Sequence, residues 1–307
     1  MKNGENVSNV QRRKFLSNLT IATGSAVLVS SPFFSIASVF VEESRQITVG
    51  EIMNSFISEV PNGAIPNTVD TLKSGNADIV VTGVVICMFA TIEVIRKTIA
   101  LGANFIIAHE PTFYNHQDAT KWLENDEVFK YKSELLKKHN IAVWRNHDYI
   151  HNVHPDGVRK GLVERLSWGK YGNPDQNMYN FTSALSLKEL IHDLKAKLEI
   201  PSLRYIGDLK ASCSKILLMP GAAGGQRQIE AIIKNRPDVL VTGEISEWET
   251  AEYVRDARAK GENICLIVLG HVASEEDGAT YMLNWLKNKF PSVKANFIKT
   301  GASLSML

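Results

Sequence analysis

The sequence predicts an α/β fold of two related halves with an inserted smaller α/β piece. Three observations carry that reading. Two stretches about 160 residues apart repeat one strand–helix–strand layout. Their strands are short, uniformly apolar runs, the pattern of parallel strands covered on both faces. The composition, 307 residues with 44% hydrophobic and 22% charged, is that of an ordinary globular chain with room for one large or two smaller domains.

The first residues differ from the rest. Arg12, Arg13, Lys14, Phe15 and Leu16 precede a weakly apolar stretch from Leu19 to about Val29, and Ser35-Ile36-Ala37 supplies a small-x-small cleavage site. Residues 1–37 therefore read as an export signal, and the Arg-Arg-x-Phe-Leu order resembles a twin-arginine address. The expected location is the periplasm or another extracytoplasmic space. The twin-arginine route carries folded proteins. Cleavage after Ala37 removes four of 34 basic and one of 33 acidic residues, leaving a net charge of −2. No later stretch is long and apolar enough to span a bilayer. The absence of a basic excess argues against nucleic acid as a partner. Three cysteines, Cys87, Cys213 and Cys265, give no disulfide framework.

Within the mature segment, 38–307, the first half covers about 47–165. Its core is residues 77–111: Asp78 opens a β-branched run that Thr82-Gly83 closes, Ile92, Ile95 and Ile99 follow at helical spacing, Gly102 ends the helix, and a second apolar run reaches His109. A third strand, 141–144, leads to Asn146, His147 and Asp148, and "HNVHPDG" (151–157), with Pro155, reads as irregular. The inserted piece spans about 166–212. There Ser186 and Glu189 form a capping box before a helix at 187–198, Pro201 ends it, and 203–208 reads as a strand. The second half, about 213–305, opens with a strand running into the glycine-rich turn 221–225, which could hold an anion on backbone N–H groups or simply tighten a strand–helix junction. Residues 237–276 then repeat the first layout: Asp238, Thr242 and Gly243, then Ala251, Val254 and Ala257 at helical spacing, Gly261, and an apolar run that ends at His271.

Three strands thus end on metal-type side chains: His109 with Glu110, His147 with Asp148 and His151, and His271 with Glu275. Ligands of open α/β sheets bind outside the carboxyl ends of strands, so these ends are expected to converge. A buried unpaired carboxylate costs several kcal/mol. With few Lys or Arg nearby, one or two divalent cations are the expected compensation. Mixed nitrogen and oxygen donors suit zinc, manganese or iron. His271 and Glu275 share one face of a helical turn if Val272 starts one. His116, His139 and His192 read as surface residues.

These residues resemble the dinuclear metal centre family of NGG-one-interacting factor three-like (NIF three-like) proteins, some of which are named GTP cyclohydrolase one type two. The resemblance covers roughly 47–305 and rests on "ANFIIAHEP", "VLVTGEISEW", "LGHVASEE" and the glycine-rich "PGAAGG". It implies two related halves facing each other across two divalent ions per chain, and toroidal homo-oligomers, usually hexamers. His109 matches the first of the family's paired histidines, and Glu110 stands where the second would be. His271 and Glu275 match the C-terminal ligands. The family's middle ligand is an Asp four residues after a His, a position held here by His151, with Asp148 as the alternative. Glu244 and the pair Glu247-Trp248 stand where the family has Asp and His.

The implied function is a metal-dependent hydrolase that holds a hydroxide between ions bridged by Glu275 or a middle carboxylate. Glu110 would act as ligand or general base, with Glu244 or Glu247 moving the proton, on a small substrate whose phosphate would sit at 221–225. The alternative is a non-catalytic, oligomeric metal-binding or scaffold protein.

Overall fold

A computed structural model describes residues 45–61 and 63–305. The expected export signal lies outside these residues. Among the described residues, ten strands form two five-stranded sheets.

The first sheet contains β1 (Leu72–Ser74), β2 (Val84–Cys87), β3 (Phe105–Ala108), β4 (Ala142–Arg145) and the chain's last strand, β10 (Ala295–Phe297), in the spatial order β1-β4-β3-β2-β10. All neighbours are parallel except β1 and β4. Every residue of β2, β3 and β4 is buried, because helices cover both faces. Side chains alternate between the faces with period two. Val84, Ile86, Phe105, Ile107 and Trp144 pack with helix α1 (Val49–Ile57), while Val85, Cys87, Ile106 and Val143 pack beneath α2 (Ile92–Ala100) and α3 (Glu127–Lys138). Phe56 of α1 sits edge-on to Trp144 and Trp285, at 6.1 and 4.9 Å between ring centroids. Burying each such side chain stabilises the fold by about 1.5–3 kcal/mol.

Farther along, α4 (Asp148–Asn152) and α5 (Gly157–Leu166) lead to the second sheet. It contains β5 (Met178–Ser186), β6 (Arg204–Ile206), β7 (Ser212–Met219), β8 (Val239–Thr242) and β9 (Cys265–Val268), ordered β5-β7-β8-β9-β6. The middle three strands are parallel and both edges antiparallel. One face packs against α5 and α6 (Leu187–Leu198). The other packs against α7 (Gly225–Asn235) and α8 (Glu252–Ala259). The capping box that starts α6 is present, with Ser186 Oγ accepting from Glu189 N at 3.2 Å and Glu189 Oε2 accepting from Ser186 N at 2.8 Å.

The stretch about 166–212 supplies both edge strands of the second sheet, β5 and β6. One expectation changes: the Thr-Gly match in the repeat falls at unlike places. Thr242-Gly243 closes β8, but Thr82-Gly83 precedes β2, and residues 79–81 form only an isolated bridge from Val80 to Thr48. Apolar runs flank Thr82-Gly83 on both sides, and only the second finds parallel partners, in β3 and β10. The strand–helix–strand layout does recur, as β2-α2-β3 and β8-α8-β9. In both copies a positive-φ glycine follows the helix, Gly102 at 66° and Gly261 at 104°, a backbone conformation that suits a residue without Cβ. The last two helices, α9 (His271–Glu275) and α10 (Gly278–Lys289), follow β9.

Candidate metal centre

The carboxyl ends of β3, β4 and β9 bring together the residues that follow them. His109 and Glu110 leave β3 directly, hydrogen-bonded through their N–H groups to Cys87 O (3.1 Å) and Met88 O (2.9 Å). After β4 the chain turns at Asn146, and buried Asp70 fixes the turn by accepting from His147 N and Tyr149 N, both at 2.8 Å. Residues 153–156 are irregular, as expected of 151–157, but the residues directly after His147 form α4. His147 and His151 therefore lie one turn apart on one side, with ring centroids 4.9 Å apart. Gly270, at φ 95°, turns the chain from β9 into α9, and that short helix aligns His271 and Glu275 as the i,i+4 spacing predicts.

His271 Nε2 lies 2.9 Å from Glu275 Oε2 and 3.2 Å from Glu110 Oε1. His109 Nε2 is 3.4 Å from Glu275 Oε2 and 4.0 Å from Glu110 Oε1. His147 Nε2 is 3.8 Å from Glu110 Oε1. His109, Glu110 and Glu275 are all buried. Donor atoms of two trios, His109/His147/His151 and His109/Glu110/Glu275, lie within 4.8 Å of one another, so the cluster could hold a metal ion.

Each histidine has its other nitrogen occupied. Nδ1 of His109 faces Asn146 O at 3.2 Å, that of His147 faces Asp148 Oδ1 at 2.9 Å, that of His151 faces Asp156 Oδ2 at 3.0 Å, and that of His271 faces Glu244 Oε1 at 3.0 Å. Outer partners of this kind fix ring orientation and raise ligand basicity. The structure thus brings His109, Glu110, His147, His151, His271 and Glu275 together and leaves Asp148 and Glu244 behind them. The remaining oxygen of Asp148 accepts from Thr68 Oγ1 at 2.8 Å and Val69 N at 3.2 Å. Glu247 is drawn off to Arg204 at 2.7 Å, and Trp248 is 82% exposed.

The electrostatics are those of crowded, desolvated groups. Burial, then the charges of His109 and His151, pushes His147 down to about 4. Burial opposes protonation of His271, but hydrogen bonds to Glu110 and Glu275 outweigh it and hold this imidazole at about 11. Burial would raise Glu275, yet its contacts with His109 and His271 keep it well below the carboxylate range. Glu110 is lowered too, since His271, His109 and His147 outweigh its burial.

Sequence reasoning missed Arg145. Few cations were expected here, yet this fully buried arginine ends β4 with Nη2 3.3 Å from Glu110 Oε2 and Nε donating to His109 O at 3.4 Å. An arginine closing an otherwise apolar strand was the available signal. His116, expected at the surface, is exposed but stands at the rim, its ring 5.8 Å from that of His147. The glycine-rich turn is closely packed at two of its glycines. A Cβ on Gly221 would collide with the Glu275 carboxylate, and one on Gly225 would collide with Glu249. Gly221 N donates to Ser274 Oγ at 2.9 Å, and Gly243 packs against both. The turn therefore packs against Glu275 and Glu249 at Gly221 and Gly225, while Gly224 faces open space.

Two α/β sheets and a His/Glu cluster beyond their strand ends define a candidate metal-binding α/β protein. The profile of the Duf34/NIF3 (NGG1p interacting factor 3) family matches residues 68–303, and the chain belongs to that family. Among curated proteins it is similar to the GTP cyclohydrolase 1 type 2 homolog of Clostridium perfringens, 26% identical over 214 residues, covering 66% of this chain and 77% of that protein. The homolog of the same name from Buchnera aphidicola subsp. Baizongia pistaciae is 26% identical over 248 residues, covering 77% and 90%. Among solved structures the fold is shared with a Bacillus cereus protein related to NIF3 (TM-score 0.67, 16% identity, 86% of this chain and 100% of that one). It is shared as well with Staphylococcus aureus protein SA1388 (TM-score 0.64, 19% identity, 85% and 99%).

Proposed function

We propose that the protein is a metal-dependent hydrolase with a two-ion centre, acting on a small substrate. One observation carries the metal reading: His109 Nε2 is buried, makes no well-formed hydrogen bond, has Glu275 Oε2 no closer than 3.4 Å, and points among carboxylates and among imidazoles whose outer nitrogens are already engaged. A buried nitrogen with only so loose a contact is costly, and a cation satisfies it. The donor set, imidazole and carboxylate without thiolate, fits zinc, manganese or iron.

His109, His147, His151, Glu110, His271 and Glu275 would hold the ions. Bound divalent cations supply an acidified water at neutral pH and polarise a substrate oxygen. Glu275 keeps its charge through its contacts with His109 and His271, ready to ligate. Arg145 engages Glu110 Oε2, so Oε1 is the oxygen left either to ligate or to take a proton. Glu244 orients His271, so its role is positioning.

The test is elemental analysis of the purified protein with turnover of a library of phosphoesters, cyclic amides and nucleotides. Two ions per chain and activity that tracks metal content support the reading. Full activity in Glu275→Gln overturns the mechanism. A second reading, non-catalytic metal binding or scaffolding, draws support from Arg145, which ties up one oxygen of the candidate base. Export through the Arg12-Arg13 signal and a ring-shaped homohexamer complete the proposal. Fractionation and light scattering test these two.

A further inference from the structure

We infer that the centre is chemically divided. One half is all imidazole, His109, His147 and His151, and takes a borderline-soft divalent cation such as zinc. The other half is oxygen-rich, Glu110, Glu275 and His271, and takes a harder cation such as manganese more weakly. The inference rests on the metal-centre reading above and concerns how this chain's own residues sort two ions.

The three imidazole rings form a near-regular triangle, with centroids 4.9, 4.9 and 5.2 Å apart. Each has Nδ1 engaged, by Asn146 O, Asp148 or Asp156, so each is left with Nε2 to offer. Asp156 is itself held by the N–H groups of Val158 (2.9 Å) and Arg159 (3.0 Å) at the start of α5, so the ring of His151 is anchored to a helix. Two of the three rings carry a carboxylate behind them, the arrangement that makes a neutral imidazole a stronger donor. Nitrogen donors favour zinc, iron, nickel and copper over manganese and magnesium.

The other half has a different donor set. Glu110 Oε1 and Glu275 Oε2 meet at His271 Nε2, at 3.2 and 2.9 Å. The second oxygen of each acid is restricted: Glu110 Oε2 faces Arg145 at 3.3 Å, and Glu275 Oε1 lies against Gly221. Each acid therefore presents one oxygen, giving two oxygens and one nitrogen. That set accepts manganese. The guanidinium already offsets one of the two negative charges, so this half attracts a second cation less strongly. His109 stands at the boundary: its ring completes the imidazole triangle, and its Nε2 also lies 3.4 Å from Glu275 Oε2 and 4.0 Å from Glu110 Oε1.

The test titrates the chelator-treated full chain with zinc and with manganese. Isothermal calorimetry measures affinity, elemental analysis measures stoichiometry, and electron paramagnetic resonance follows bound manganese. The expected result is a tight zinc ion and a second ion held at least tenfold more weakly. Glu110→Gln should weaken manganese and leave the tight zinc unchanged. His151→Ala should abolish the tight zinc and retain manganese; His147→Asn serves the same purpose if His151→Ala does not fold. Two zinc ions with one common dissociation constant overturn the division while leaving the metal-centre reading intact. So do variants that weaken both ions equally. Failure to bind any ion overturns the metal-centre reading and the division with it.

Discussion

Arg145 offers the sharpest test of how the site is held together. Its side chain is fully buried, lies 3.3 Å from Glu110 and 3.7 Å from Asp118, and donates to His109 O and His116 O. Arg145→Met keeps most of the packing volume but strips Glu110 of its fixed cation. Breaking a buried ion pair by removing one partner costs about 3–5 kcal/mol. For a chain of this size about 1 kcal/mol moves Tm by roughly 2–4 °C, so the variant should melt on the order of 6–20 °C lower in chelator. A divalent cation would take over the neutralisation of Glu110. Saturating zinc or manganese should therefore raise the Tm of Arg145→Met more than that of the parent chain. Differential scanning calorimetry with and without metal measures both effects. A melting temperature within about 2 °C of the parent in chelator would refute the view that Arg145 compensates Glu110.

Other perturbations isolate other parts. Gly221→Ala places a Cβ against the Glu275 carboxylate at φ +66°, so calorimetry should show at least tenfold weaker metal binding, with circular dichroism confirming a retained fold. Asp148→Asn and Asp156→Asn leave the ligands in place but weaken their orientation, and each should lower metal affinity by roughly 10–100-fold. Lys132 is buried, over the rings of Phe113 and Tyr114, and burial lowers its ammonium from 10.5 to about 8. A lysine lowered in the folded state binds fewer protons there than in the unfolded chain, so stability should rise as pH goes from about 8 to 10.5. That gap converts to about 3 kcal/mol, and Lys132→Met should flatten the rise in urea melts. Replacing Arg12 and Arg13 together by Lys should leave the chain in the cytoplasm if the export reading holds, as cell fractionation would show.

Much of the site was legible because metal-type residues sit where apolar strands stop. His109 and Glu110 after 105–108 and His271 after 265–268 stand out against runs that are buried at every position. Glu275 follows from the helical repeat. The capping box of α6 was legible for the same local reason: Ser186 and Glu189 carry their partners within four residues. By itself the sequence determined the α/β class, the apolar strands and these ligand candidates, since periodicity and local hydrogen bonding are written in neighbouring residues.

Tertiary structure decided what depends on partners distant in the chain. The run 79–81 is as β-branched as 84–87, but only the latter gained parallel neighbours. His151 joined the cluster because Asp70, 77 and 79 residues before the amides it holds, turns the chain into α4. Asp148 was set behind His147 by Thr68 and Val69. Arg145 ended facing Glu110, and Gly221 met Glu275, because two strand ends from each sheet converge on one point. Charge compensation and close packing act through space, so no spacing along the chain could have specified them.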